Sequence, residues 1–516
     1  MTMTKGDFAD YLRNRVFNCC ETYESESLLW SEVTRMVPPT REEGFNVIEW
    51  QAKLSASGQR DGSGDIAWMD SVPVLPFKIG CTTGLTGIKL GRDMWDDLIN
   101  AADNKMLKSG TINEVVSQVA AVEARLPESL EIDFLGDGTG RKAKVSSTGG
   151  SVNDTTKWII LRPVFTQCCT SDTDAYAIDA IKLLRVGDHI DIGAITGAFH
   201  CTDAVICDID MNRYGVGYRI RVRLSTDKPW SRTAGFAGDS LASVVAGDFI
   251  FLHDNRAAIV DNGTNQLYIT GQTGASGDAD VMPEILGLEA IIGDGYQISN
   301  SYEPQGTIKL YGQLATAASI HKSYVTRGTT MTNTQTWSDK VMHDFEEGWK
   351  ANGGFYGDDA RNGKQPITVN GKPRFRVEIW GSPNTIGYIR QLSDSSTSTG
   401  GSRTIFREIN AGDQAKVGYG GADVIYKSRY FGDIPMKSYW RIPEGKLFWI
   451  RPDQLFTWHK GPSIMDWRHQ EGSNALWQTG LYAGLGDVMM AVLRTTGQIH
   501  CQARARMGAM INIALS

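Results

Sequence analysis

Side chains with oxygen atoms that could bind calcium occur at positions 208, 210 and 212, as aspartate, aspartate and asparagine. A calcium loop that starts this way needs a glycine at its sixth position and a bidentate glutamate at its twelfth. This chain has Arg213 and Arg219 at those two positions. The carboxylates are therefore not predicted to hold calcium.

A glycine-rich stretch at 135–142 has the sequence LGDGTGRK. A phosphate-binding loop follows a strand, is longer than this stretch, and has a serine or threonine directly after its lysine. The stretch lacks that hydroxyl and follows a segment with helical periodicity, so we interpret it as a turn.

The remaining groups that could do chemistry are scattered. The chain has eight histidines and eight cysteines without a CxxC, HExxH or GxSxG pattern, and the nearest approach to a metal cluster is His200 and Cys201 with Cys207. We therefore expect free thiols, no catalytic residues, no metal and no cofactor. A hydrolase that assembles its site from distant residues of a β-rich scaffold stays open as an alternative.

Composition narrows the class of protein. A hydrophobic fraction of 41% and a charged fraction of 22% are typical of a folded soluble protein, and 56 glycines against 16 prolines indicate many tight turns. The net charge of −7 gives no electrostatic basis for gripping nucleic acid through its phosphates. The first ten residues show no secretory signal and no segment is long enough for a membrane span, so we expect a cytoplasmic product.

Two apolar runs near the start, Phe45–Leu54 and Val72–Ile79, flank a polar, glycine-rich stretch at 55–65. This pattern predicts a long β-hairpin. An isolated two-stranded hairpin is at best marginally stable in water. The hairpin must therefore lie on its own domain or on a neighbouring subunit.

Segments in which apolar residues recur at helical spacing precede and follow this hairpin in the sequence. Leu12 and Val16 belong to a short amphipathic helix near the N-terminus. Two more helices are predicted at 92–105 and 111–125, the second ending at Pro127.

The order of a hairpin, an amphipathic helix and the turn LGDGTG at 135–140 resembles major capsid proteins of tailed bacteriophages of the Hong Kong 97 type. In that family a spine helix precedes a turn of leucine, small residue, acidic or amide residue, glycine, small residue and glycine. The resemblance implies an α+β Hong Kong 97-like capsid fold with an N-terminal arm, an E-loop, a P-domain with a spine helix and an A-domain. It also implies that the E-loop lies over an adjacent subunit.

Short strands and Gly-Asp turns dominate 155–280, which predicts a small all-β domain, a barrel or a sandwich, inserted into that fold. Tyr218–Leu224 alternates strictly, so Arg219, Arg221 and Arg223 share one face. That face is either solvated or contacts an acidic neighbouring subunit.

The second half returns to longer elements. A helix is predicted over 334–350, a strand over 374–380, and a second helix that Ser382 caps and that contains Ile386 and Ile389.

The resemblance divides the chain into segments. They are 1–40, N-terminal arm; 41–90, E-loop hairpin; 91–154, P-domain with spine helix; 155–280, inserted β-barrel or sandwich domain; 281–372, P-domain continued; 373–460, A-domain; and 461–516, C-terminal strands of the P-domain and A-domain.

The function implied is structural: pentamers and hexamers of the chain would build the icosahedral head that encloses phage double-stranded DNA, assembled in the host cytoplasm and retained in the virion. Expected partners are the chain itself, a separate scaffolding protein, a portal protein and, as an open point, a decoration or cement protein, without sequence-specific nucleic-acid binding or membrane contact. The alternatives are an encapsulin-like shell, another virion structural protein, or the β-rich hydrolase. The residues expected at inter-subunit contacts are Leu12, Val16, Phe45, Trp50, Val74, Phe77, Arg219, Arg221, Arg223, Ile386 and Ile389.

Overall fold

The structure is a computed structural model. It describes residues 39–41, 47–53, 74–80, 82–91, 126–149, 156–166, 168–194, 199–224, 241–253, 259–261, 267–269, 284–293, 322–328, 334–355, 367–369, 372–395, 406–408, 424–459, 465–468, 478–479 and 488–515.

The described residues form an α+β chain rich in strands. The strands are β1 (Pro39–Arg41), β2 (Val47–Lys53), β3 (Val74–Gly80), β4 (Thr82–Gly91), β5 (Arg141–Gly149), β6 (Thr156–Arg162), β7 (His189–Gly193), β8 (Phe199–Met211), β9 (Tyr218–Leu224), β10 (Phe249–Leu252), β11 (Ile259–Asp261), β12 (Leu267–Ile269), β13 (Tyr324–Thr326), β14 (Ile367–Val369), β15 (Lys372–Arg374), β16 (Glu378–Gly381), β17 (Phe406–Glu408), β18 (Val424–Ser428), β19 (Gly432–Ser438), β20 (Leu447–Ile450), β21 (Leu455–His459), β22 (Met465–Arg468), β23 (Gln478–Thr479), β24 (Val488–Cys501) and β25 (Gly508–Met510). The helices are α1 (126–135), α2 (Asp179–Lys182), α3 (Leu288–Ile291), α4 (Asp339–Ala351) and α5 (Pro383–Ser395).

A mixed seven-stranded sheet lies at the centre, in the order β13-β25-β20-β16-β19-β18-β17. Its strand β20 is buried on both faces: Leu447 and Trp449 pack in one apolar cluster, and Phe448 and Ile450 pack in another. Helices α4 and α5 contribute to the first cluster, whereas α1, α3 and strands of the second sheet contribute to the other. The core therefore has layers on both sides of this sheet.

The two longer helices begin near the predicted positions. In α4, Ser338 accepts a hydrogen bond from the N–H of Val341 at 3.3 Å, and in α5 the Ser382 hydroxyl accepts one from the N–H of Thr385 at 3.1 Å. Both contacts satisfy an N–H that the first turn of a helix leaves open. A serine before the first helical residue was the sequence signal for the start of α5, whereas α4 was predicted from apolar spacing to begin at 334 and begins at Asp339.

Two predictions concern the bounds of elements. The helices predicted at 92–105 and 111–125 lie outside the described residues, and residues 126–135 are helical, with Pro127 in the first turn of this described segment, a position that proline tolerates. Leu130 and Phe134 of this helix are buried in the core. The strand expected over 374–380 is divided, because β15 ends at Arg374 and β16 begins at Glu378.

The second sheet has the order β1-β21-β24-β22, and β24 also pairs with β23 and β4. Strand β4 runs antiparallel to β24 from Thr82, opposite Gly497, to Gly91, opposite Val488. Four of the other five strands of this sheet therefore pair with the long strand β24.

Strands β5 to β10 form a closed barrel in the order β10-β5-β6-β9-β8-β7, with every neighbouring pair antiparallel. The barrel starts at Arg141 and includes β5, which was predicted to precede the small β domain. Its Gly-Asp turns have positive φ at Gly187 (85°) and Gly247 (102°), a conformation that glycine adopts readily. Aliphatic side chains fill the interior.

None of the helices described is long and apolar enough to cross a bilayer.

Candidate inter-subunit interface

The predicted hairpin is present, with β2 and β3 paired antiparallel. The register places Ile48 opposite Ile79, Trp50 opposite Phe77 and Ala52 opposite Leu75. Directly opposed residues of an antiparallel pair share a face, so these six residues form one apolar face. We call it the hairpin face.

The opposite side of the hairpin holds all four polar residues of the two strands, with Glu49 opposite Lys78, Gln51 opposite Pro76 and Lys53 opposite Val74, together with Val47 opposite Gly80. Val74 lies opposite Lys53 and therefore belongs to this polar side. The register thus separates two residues that sequence reasoning had grouped: Phe77 is on the hairpin face and Val74 is not.

The hairpin is anchored at one end. Strand β3 ends at Gly80 and β4 begins at Thr82, and β4 is paired along its length with β24. In the part of the chain that the structure describes, β2 and β3 pair only with each other. The sheet therefore holds the base of the hairpin, while no third strand extends it.

The barrel is attached very differently, through buried ion pairs. Lys142 of β5 places its Nζ 2.7 Å from a carboxylate oxygen of Glu284 and 3.0 Å from one of Asp133 in α1. Burial alone would lower the pKa of Lys142, but the Glu284 and Asp133 carboxylates outweigh it and raise that pKa, so the lysine stays charged.

A second buried lysine links the barrel to the loop before β20. Lys182 of α2 lies 2.7 Å from Glu444 and 2.9 Å from Asp179, measured from its Nζ to a carboxylate oxygen. Asp179 also accepts the backbone N–H of Glu444 at 2.8 Å. Burial raises the pKa of Asp179, and the Lys182 ammonium opposes that shift.

The same loop extends the network to two helices. Ser382, which caps α5, donates its hydroxyl to Glu444 at 2.5 Å. Lys446 bonds both carboxylate oxygens of Glu289 in α3, at 2.7 and 2.9 Å. We call the three lysines and their carboxylate partners the ionic seam: Lys142, Lys182, Lys446, Asp133, Asp179, Glu284, Glu289 and Glu444.

Sequence reasoning missed the ionic seam. Its partners are as far as 262 residues apart, as for Lys182 and Glu444. The one local signal was Asp179 and Lys182 at helical spacing within an apolar run, a pattern that also occurs on exposed helices.

Strand β9 alternates as predicted. Ile220 and Val222 are buried in the barrel, while Arg221 and Arg223 are exposed. Arg219 is partly buried, because its guanidinium pairs with the carboxylate of Asp210 at 2.9 Å. The exposed side of this strand is therefore cationic, as the sequence predicted.

Ile386 and Ile389 are buried in the core between α5 and the seven-stranded sheet. Their side chains fill contacts within their own chain. Any contact of α5 with a neighbour would use its exposed residues instead, such as Asn384 and Gly387. Three of the expected interface residues, Leu12, Val16 and Phe45, lie outside the described residues.

The barrel separates the side chains of His200 and Cys201, two residues of the weak metal-site pattern. Cys201 is buried in the interior, whereas the partly exposed His200 bonds Asp248 through Nδ1 at 2.8 Å. Burial raises the pKa of the Cys168 and Cys169 thiols to about 12, which keeps them protonated near neutral pH. No group of three or more metal-binding side chains occurs in the part of the chain described.

No protein-family model matches the sequence, and no curated protein is similar to it. The chain is similar to a solved structure of the cyanophage A-1(L) capsid asymmetric unit, at 10% identity and a TM-score of 0.44, over 94% of this chain and 92% of that one. A structure from Mycobacterium phage Patience is similar at 10% identity and a TM-score of 0.37, over 100% of this chain and 91% of that one. An encapsulin from Synechococcus elongatus is similar at 9% identity and a TM-score of 0.18, over 34% of this chain and 65% of that one.

Proposed function

We propose that this chain is the major capsid protein of a tailed bacteriophage, a structural subunit that assembles with copies of itself as pentamers and hexamers into an icosahedral head around double-stranded DNA. The observation that carries the proposal is the hairpin face: six apolar residues share one side of a two-stranded sheet that pairs with no other described strand and continues at one end into β4.

The free energy gained by burying apolar side chains favours covering of the hairpin face by another copy of the chain. Covering a large apolar side chain contributes about 2 to 3 kcal/mol relative to leaving it in water, and the hairpin face offers a tryptophan, a phenylalanine and three larger aliphatic residues. Such a gain is modest for one contact. A closed shell repeats it at every subunit, so contacts weak enough to be corrected during assembly add up to a stable wall.

The ionic seam supports the second requirement of a shell subunit, a body of fixed shape. Lys142 and Lys182 connect the barrel to the sheets through ammonium–carboxylate pairs that are almost wholly buried. Breaking such a pair by removing one partner costs about 3 to 5 kcal/mol. The barrel would therefore move with the core, while the hairpin adapts to pentamer and hexamer positions.

The finer assignments follow the same proposal. The arm would occupy 1–40, the E-loop 41–90 and the A-domain 373–460, with the barrel as an insertion into the P-domain. The proposal includes assembly in the host cytoplasm. Its expected partners are a separate scaffolding protein, a portal protein and a decoration or cement protein. A structural role would need no catalytic residue.

The test is sedimentation velocity with negative-stain electron microscopy of the full chain over a range of concentrations, with and without a candidate scaffolding protein. We expect rings, sheets or closed shells of uniform diameter. Phe77→Asp, on the hairpin face, should abolish them, whereas the matched Val74→Asp, on the polar side of the same strand, should leave them intact. A wild-type chain that stays monomeric or dimeric under every condition would contradict the proposal.

A further inference from the structure

The turn between β8 and β9 presents apolar side chains to solvent. Met211, the last residue of β8, is 48% exposed, and Tyr214 and Val216 in the turn that follows are 76% and 46% exposed. Single exposed apolar residues are common on protein surfaces, but such a concentration marks a surface that another molecule covers.

This turn is held in one conformation by its own polar groups. The Asp210 carboxylate accepts the N–H of Arg213 at 3.0 Å, and the Asn212 side chain accepts the N–H of Gly217 at 2.8 Å. Gly217 has a φ of +106°, and a Cβ there would lie 3.0 Å from the Cβ of Asp172, so the turn packs closely on the neighbouring loop. A rigid turn loses little conformational entropy when a partner binds.

Arg219, beside the turn, places its guanidinium over two aromatic rings. The guanidinium carbon of Arg219 lies 4.5 Å from the ring centre of Trp158 and 6.0 Å from that of Tyr214. Asp210 fixes the other side of this guanidinium at 2.9 Å. Tryptophan, tyrosine and arginine are the residues most enriched at the energetic centres of protein interfaces.

Two exposed arginines continue the same strand. Arg221 donates to the hydroxyl of Thr156 at 3.4 Å, and no carboxylate of the described residues forms an ion pair with Arg221 or Arg223. The chain as a whole carries a net charge of −7. Because two copies carry the same net charge, their attraction must come from local contacts, and the described surface exposes carboxylates such as Asp344 and Asp433 that the arginines of a second copy can meet.

We propose that the surface formed by Trp158, Met211, Tyr214, Val216, Arg221 and Arg223, the Tyr214 surface, docks a second copy of this chain. The inference rests on the proposed shell function, which brings identical copies together. It assigns the barrel a contact between subunits that is separate from the hairpin face.

The first test compares Tyr214→Ser with Val245→Ser in the full chain. Val245 is 52% exposed on another turn of the same barrel, so it is a matched control. We expect Tyr214→Ser to raise the concentration needed for association by about tenfold in sedimentation velocity, with an unchanged melting temperature. Val245→Ser should associate like the wild type. Arg221→Glu with Arg223→Glu should weaken association and remove part of its salt dependence.

A photo-crosslinking residue at position 214 identifies the occupant. Crosslinks between two copies of the chain in assembled material are the expected result. Crosslinks confined to a different protein would overturn the proposal, as would wild-type association by Tyr214→Ser. Shells that form normally from Tyr214→Ser would contradict only the role of the Tyr214 surface. A wild-type chain that never associates would contradict both the shell function and the role of this surface.

Discussion

The hairpin and the barrel are both antiparallel β-structure, but they are completed in different ways. The barrel closes on itself, so each of its strands has two neighbours and its interior is filled by side chains of the same chain. The hairpin has two strands and a one-sided apolar face, and no other described strand pairs with it. We infer that one region is self-sufficient, whereas the other is left for a neighbour to complete.

The largest expected change in the free energy of unfolding concerns the ionic seam, which connects the barrel to the rest of the described chain. Lys182→Met leaves Asp179 and Glu444 buried without their cation, so the free energy of unfolding should fall by about 3 to 5 kcal/mol. Urea denaturation of the unassembled chain measures it. Lys427→Met, at an exposed position of β18, is the control and should change little. A loss below about 1 kcal/mol in Lys182→Met would break the contrast between the regions.

The next effect probes how closely the core segments approach each other. A Cβ at Gly287 would lie 2.3 Å from the carbonyl oxygen of Gly136 and 2.4 Å from that of Phe134, so Gly287→Ala should destabilise by about 3 kcal/mol. A Cβ at Gly387, in α5, would meet no atom within 4 Å outside its own helix, and Gly387→Ala should stabilise by about 0.5 to 1 kcal/mol. Thermal unfolding of both variants tests this prediction, and equal effects would contradict it.

A smaller effect depends on pH. Glu346 of α4 is buried beneath β18, one of its carboxylate oxygens has no hydrogen-bond partner among the described residues, and burial raises its pKa to about 6. Because the pKa of Glu346 is higher in the folded chain than its usual value of 4.5, the stability that this carboxyl contributes should be fully present below about pH 4.5 and be lost as the pH rises through about 6. At pH 8, Glu346→Gln should be more stable than the wild type by about 1 to 2 kcal/mol, an advantage that disappears at pH 4.

Glu347→Gln is the matched control for that variant, since its side chain is 52% exposed on the same helix. Stability curves from chemical denaturation at several pH values measure both variants. A Glu346→Gln variant that keeps the pH dependence of the wild type would show that another group is responsible.

The smallest effect on stability belongs to the hairpin. Because no other described strand pairs with β2 and β3, Phe77→Asp should change the unfolding free energy of the unassembled chain by less than about 0.5 kcal/mol, even though it abolishes assembly. Denaturation of the monomer provides the measurement. A loss of several kcal/mol would mean that the hairpin face is already covered by its own chain.

Local patterns were sufficient for much of the fold. Ser382 before Pro383 located the start of α5, the two apolar runs located β2 and β3, and strict alternation located β9 with its arginines outward. In each case the signal lies within a few residues of the element. Such signals are readable without knowledge of the tertiary structure.

Features set by distant contacts could not be predicted in this way. Strand β16 is fully buried because sheet and helix layers cover both of its faces. Lys142 and Glu284 meet across 142 residues, and neither has a local pattern that names its partner. Of the candidate interface, the hairpin was predictable, but which residues share its apolar face required the register.

Hydrogen exchange at the backbone amides of β2 and β3, compared before and after assembly, shows whether a neighbour completes the hairpin. We expect fast exchange in the unassembled chain and strong protection in the shell, while the amides of β5 to β10 are protected in both states. Hairpin amides that exchange at the same rate before and after assembly would contradict completion by a neighbour.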